Sequence, residues 1–246
     1  MTARPLLHLA RPTGSWGSPW PQAIEIARTV PPATWTLVGG LMTQMHALLA
    51  GLPPSRPTTD VDATLHLETG VIGYATAAAA LIDIGYVFDD GPELAYRFRR
   101  GTDVVDLMAA DHLAPAHRPR YSGRPVFAID GGTQALRRTI DVDVEVGDGS
   151  VARFSVPDVH GALVLKGAAY TADTRDRIRH ASDGVVLLAC LDDPDALLES
   201  LAGSDRPRLR ALLRALESIE PWADAHRDVE ALARSSIEVL KPRLAE

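Results

Sequence analysis

The sequence predicts an α/β (α+β) protein, a mixed sheet flanked by helices with a helical subdomain at the C-terminal end. Three observations carry this. Residues 35–67 read as an apolar strand, a helix and a second strand in succession. Two pairs of strand-like runs, at 94–109 and 141–156, are each joined by a Gly-containing turn. From residue 157 onward the pattern is helical, with leucines set against arginines.

Taken in order, residues 1–21 are rich in Pro, Gly, Trp and Ser and read as an irregular arm, which Trp16 and Trp20 could pack onto the body. Residues 22–29 form a short helix that stops before Pro31-Pro32, and a strand starts at Trp35. Gly39-Gly40 turns the chain into an amphipathic helix, and a Pro-rich connector at 52–57 leads to the strand that opens at Asp60. In that strand Ala63, Leu65 and Leu67 alternate with Thr64 and His66, as a half-buried strand would. The small residues of 70–85 suit a helix packed closely on a sheet. Strands follow at 86–88, 94–99 and 103–109, the last two joined at Gly101-Thr102. Residues 115–125 make a basic, Pro-punctuated loop; from 97 to 138 there are eight arginines and four aspartates. Asp141, Asp143 and Glu145 alternate with apolar residues as on the exposed face of an edge strand, and Gly147-Asp148-Gly149 turns it into 151–156. Asp158 is placed to cap a helix running to about Ala172, and helices fill the remainder. The expected organisation is an arm at 1–21, a sheet domain at 22–156 and a helical subdomain at 157–246.

The chemistry concentrates at residues 58–62, Thr-Thr-Asp-Val-Asp. Strand alternation puts the Asp60 and Asp62 carboxylates on one face, where they repel unless a cation sits between them. Mg²⁺ meets that need, because it takes hard oxygen ligands and completes its octahedron with substrate phosphates. The glycines upstream let a phosphate approach the backbone, and N–H groups at a helix start attract anions. Asp106 lies mid-strand among apolar residues, where an unpaired charge is expensive, so it needs a partner, and Arg97 or Arg99 on the neighbouring strand could serve. Asp103 and Asp111 sit at strand ends and read as solvated or capping. The second Asp-x-Asp, Asp141 and Asp143, is rejected as a site, because only eight residues separate it from Gly132 and a crossover between parallel strands takes about a dozen or more.

An apolar residue, Gly-Gly, a helix and then Asp-x-Asp resemble the signature of the nucleotidyltransferase superfamily, and "VGGLMTQMHA" with "RPTTDVD" resembles its AbiEii-like toxin branch. The resemblance covers residues 35–110 well and the rest loosely. It departs in the nineteen residues between Gly40 and Asp60, a surplus that lies in 50–55 and lengthens the loop. It implies a nucleotidyltransferase fold and a Mg²⁺-dependent enzyme, with two ions, that transfers NMP from an NTP and releases pyrophosphate. By the same resemblance, Asp60, Asp62 and Asp106 would hold metal, with Asp106 also the base for the attacking hydroxyl. Gly39, Gly40, Lys166 and Asp183 would bind nucleotide; Asp173, His180 and Asp183 recur at the branch's spacing, with arginine where lysine is usual. The implied setting is a toxin with a cognate antitoxin, and the acceptor an RNA 3′ end (tRNA) or a protein hydroxyl. A small-molecule acceptor of antibiotic type, or a non-catalytic nucleotide-binding protein of the same fold, remains open.

Composition bounds the rest. The chain has 246 residues, 46% apolar and 23% charged, ordinary values for a globular protein. A net charge of −7 argues against a generic nucleic-acid coat but allows a local basic patch, such as 97–138. The lone Cys190 excludes a disulfide framework and reads as a buried small hydrophobe. No apolar run is long enough to span a bilayer and no leader is evident, so a cytoplasmic protein is expected.

Overall fold

The computed structural model describes residues 4–53, 56–147 and 149–245. In chain order the elements are β1 (Leu6–Leu9), α1 (Trp20–Thr29), β2 (Trp35–Val38), α2 (Gly39–Leu49), β3 (Asp60–Leu65), α3 (Tyr74–Asp83), β4 (Val87–Phe88), β5 (Arg97–Arg100) and β6 (Asp103–Ala110). Then come β7 (Arg120–Tyr121), β8 (Arg124–Pro125), β9 (Ala128–Ile129), α4 (Gly132–Arg137), β10 (Thr139–Glu145) and β11 (Val151–Pro157). The helices α5 (Val159–Ala172), α6 (Arg177–Ala189), α7 (Pro194–Ser200), α8 (Asp205–Ala215) and α9 (Arg227–Ala245) complete the chain. The protein is mixed α/β. The chain divides into two compact units, Met1–Met42 with Thr58–Pro157, and Thr43–Pro57 with Asp158–Glu246. Among the described residues no helix is long and apolar enough to cross a membrane.

The first unit is built on a mixed sheet of order β2-β3-β6-β5-β4, with β9 pairing the far end of β6. Its centre is the parallel pair β3–β6, flanked by antiparallel β2 on one side and β5 and β4 on the other, and β9 joins β6 in parallel. Val61, Val105 and Phe98 are fully buried, so the apolar alternation of these strands decides which face turns inward. The expected alternation breaks down at the end of β3. Thr64 and His66 are as buried as Leu65, and Leu67 starts a short turn (Leu67–Thr69). Both faces of β3 are covered there, and His66 is held inside by the Thr36 hydroxyl at 2.7 Å, which Ser155 also bonds at 3.0 Å, whereas the Thr64 hydroxyl has no partner among the described residues.

The second sheet of this unit corrects two expectations. The arm is not irregular throughout, since β1 pairs in parallel with β10. Residues 1–3 lie outside the described residues. Nor is β10 an edge, because β1 and β11 flank it on its two sides. The physical reason is one and the same: β1 satisfies the N–H and C=O groups that β10 would otherwise leave open. Asp143 is accordingly buried and forked by Arg153 at 2.7 Å to each oxygen. The Trp16 indole donates to the Glu145 carbonyl at 2.7 Å and its ring lies 4.5 Å from that of Trp20. Phe154 of β11 meets Trp20 and Trp35 edge-on, closing this part of the core. Asp148, in the expected β10–β11 turn, lies outside the described residues.

The second unit joins the later part of α2 to α5–α9. The Asp158 carboxylate accepts from the Gly161 N–H at 2.7 Å and caps α5 as expected. Helices α5 and α8 approach so closely that a Cβ on Gly167 would stand 2.4 Å from the Arg208 carbonyl oxygen. Cys190 is buried, and burial pushes its thiol up to about 12. The helix α2 ends at Leu49, and Pro54 and Ser55 of the connector to β3 are outside the described residues.

Candidate active site

Register places the site. Across the first sheet Val38 pairs with Asp62, Asp62 with Asp106, and Asp106 with Arg97. Residues directly opposite share a face, so two carboxylates and a guanidinium stand in one row. Asp60, two residues before Asp62, adds a third carboxylate to that face. One oxygen from each of Asp60, Asp62 and Asp106 lies within 4.8 Å of the other two. These three sequence candidates are thus brought together.

Each carboxylate is held by a different neighbour. The Thr58 hydroxyl donates to an Asp60 oxygen at 3.1 Å. Arg97 forks Asp106, with Nε donating to Oδ1 at 2.8 Å and Nη2 to Oδ2 at 2.6 Å. Burial pushes the Asp106 carboxyl above the usual carboxylate range, Arg97 pulls it back and the Asp60 charge adds to the rise. The same hydrogen bonds push the Arg97 guanidinium up. Asp106 therefore has both characters left open by the sequence: it joins the carboxylate cluster and it is the partner of Arg97.

Asp62 owes its place to a glycine. Gly39 has φ +69°, and a Cβ there would sit 1.7 Å from Asp62 Oδ2. Only a residue without a side chain leaves room for the carboxylate and adopts that backbone at little cost. Gly39 and Gly40 are the first residues of α2 itself, where a turn ahead of the helix was expected. The helix start consequently lies directly beside the carboxylates.

The remaining candidates, Lys166 and Asp183, lie in the second unit and are brought to each other. Lys166 Nζ donates to Asp183 Oδ2 at 2.6 Å, and Arg56 forks the same carboxylate at 2.8 and 2.9 Å. Burial works against the Asp183 charge, but Lys166 and Arg56 outweigh it and hold the carboxyl below its usual range. His180 bonds Asp173 at 3.3 Å, and burial, assisted by Lys166 and Arg179, lowers it to about 4. Of the strand-end acids, Asp111 accepts from the Gly131 and Thr133 N–H groups at 2.7 and 2.8 Å and so caps α4, while Asp103 bonds Gln22 and Arg100. Thr58 escaped the sequence reading; its only signal was a hydroxyl two residues ahead of Asp60.

The donor set fits a hard divalent cation: three carboxylates and no sulfur or imidazole. No family model and no curated protein matches the chain. Two solved structures of the antibiotic-resistance factor ANT(2'')-Ia are similar to it. The solution structure is 12% identical, with a TM-score of 0.37, over 91% of this chain and 97% of that one. The structure in complex with adenylyl-2''-tobramycin is 14% identical, with a TM-score of 0.33, over 89% of this chain and 98% of that one. At such scores neither likeness bears on the chemistry.

Proposed function

We propose that this chain is a magnesium-dependent nucleotidyltransferase that moves NMP from an NTP to an acceptor hydroxyl. The observation that supports it is the convergence of Asp60, Asp62 and Asp106 beside a helix that begins in Gly39-Gly40. Asp60, Asp62 and Asp106 would hold the metal, with two ions at work once nucleotide is present. The bound metal supplies Lewis-acid polarisation of the phosphoryl group and charge stabilisation for attacking and leaving oxygens. The backbone at Gly39 and Gly40 would receive the triphosphate, where a helix start favours anions. Asp106 would take the proton of the attacking hydroxyl as its oxygen bonds the α-phosphorus and pyrophosphate departs. Lys166 and Asp183 are assigned to nucleotide by the motif resemblance alone.

For the acceptor we favour RNA, within a toxin-like protein that has a cognate antitoxin. The toxin setting comes from the motif resemblance. RNA is supported by the exposed basic segment around Arg118 and Arg120, with Arg124 half-exposed on β8. The test is incubation with each labelled NTP, Mg²⁺ and total RNA, followed by a gel. Label should move to RNA with wild type and stay free with the Asp60→Asn/Asp62→Asn double variant. That variant should also lose Mg²⁺-dependent nucleotide binding yet melt slightly higher, because two adjacent like charges are gone. A wild type with no Mg²⁺-dependent nucleotide binding, together with a strongly destabilised double variant, would make these aspartates structural and end the proposal.

A further inference from the structure

The guanidinium in the carboxylate row has no place in the chemistry so far. Arg97 stands opposite Asp106 in the β5–β6 register, forks both of its oxygens and lies 5.3 Å from the Tyr96 ring. The fork engages one lone pair on each Asp106 oxygen and leaves the other. A cation can therefore be ligated by Asp106 while the ion pair stays intact. The charges also add up in an informative way. Within this row three carboxylates and one fixed guanidinium sum to two net negative charges. Without Arg97 there would be three.

Resting on the reading of these carboxylates as metal-holding, we propose that Arg97 is a positioning residue with two effects. It fixes the orientation of Asp106, and its charge weakens the grip of the protein alone on divalent cations. Firm metal loading then waits for the nucleotide, whose phosphates supply the missing negative charge. A carboxylate cluster without such a counter-charge would hold metal tightly whether or not substrate were present.

The test is Mn²⁺ binding without nucleotide, read from the EPR signal of free Mn²⁺, on wild type, Arg97→Gln and Arg97→Lys, with thermal melts to show folding. Arg97→Gln should bind Mn²⁺ roughly tenfold tighter or more, since one positive charge has left the neighbourhood of a divalent ion. Arg97→Lys keeps the charge and loses the fork. Its Mn²⁺ affinity should stay within about threefold of wild type while kcat falls roughly tenfold at unchanged KM for NTP, because Asp106 is no longer held in line. Unchanged or weaker Mn²⁺ binding by folded Arg97→Gln overturns the proposal. If Arg97→Gln does not fold, Arg97→Lys decides: wild-type kcat, or much altered Mn²⁺ affinity, overturns it. A wild type that binds no Mn²⁺ with or without nucleotide brings down the carboxylate reading itself, which is a different result.

Discussion

At the scale of single residues the site depends on what is absent as much as on what is present. Gly39 and Gly70 have nearly the same positive φ, +69° and +68°, but open on different surroundings. A Cβ at Gly70 meets nothing within 4 Å, whereas one at Gly39 falls on the Asp62 carboxylate. Gly70→Ala should therefore cost only the left-handed strain, about 1–2 kcal/mol, and leave Mg²⁺-dependent nucleotide binding intact. Gly39→Ala should carry that same strain and also expel Asp62 from its position, so that melting temperature falls further and metal-dependent binding is lost. Thermal melts and nucleotide titrations with and without Mg²⁺ compare the two variants directly. Equal effects on binding would remove Asp62 from the site.

At the scale of elements, small residues decide how closely helices pack. In the second unit, a Cβ on Gly167 would press on backbone, the Arg208 carbonyl of α8, at 2.4 Å. One on Gly184 would meet side-chain atoms only, those of Leu212, the nearest at 2.9 Å. Gly167→Ala should thus destabilise by roughly 1–3 kcal/mol and Gly184→Ala by clearly less, as measured by urea unfolding. What the sequence made legible at this scale follows from periodicity. Asp60 and Asp62 share a face because strands alternate, and Asp158 caps α5 because its carboxylate reaches the third residue on. What it could not give is register between distant strands. Nothing local to residues 6–9 says that they pair with β10, and so the arm was expected to be irregular and Asp143 exposed. Nothing local to Arg97 chooses it over Arg99 for Asp106; Arg99 instead reaches Asp89 at 2.7 Å. Alternation fixes which side chains share a face, and only the assembled sheet fixes which are neighbours.

At the scale of the whole molecule, charge and burial set how the protein responds to pH and salt. His66 is buried on the Thr36 hydroxyl and lowered to about 4, chiefly by burial and also by Arg4. Its folded value lies below the unfolded one, so the unfolded chain takes the proton first. The stability this histidine contributes is whole above about pH 6.5 and is lost as pH falls towards 4, roughly 3 kcal/mol in all. His180 adds a loss of the same sign in the second unit. His66→Gln should flatten the first unit's loss of stability between pH 6.5 and 4.5, as read from denaturant midpoints; an unchanged slope would mean that His66 protonates in place. Salt addresses the acceptor. A chain of net charge −7 can attract RNA only through a limited basic face, and Arg118, Arg120 and Arg124 lie on the segment that offers one. If RNA docks there, its binding should weaken with salt by about one unit of log–log slope for each phosphate neutralised. Reversing the charge of all three arginines should raise KM for RNA and leave nucleotide affinity nearly unchanged. A small acceptor would be held by a few hydrogen bonds in a cleft, so turnover on it would be nearly flat in salt and indifferent to these arginines. A flat profile with intact nucleotide binding would therefore discard RNA and leave the metal-dependent transfer standing.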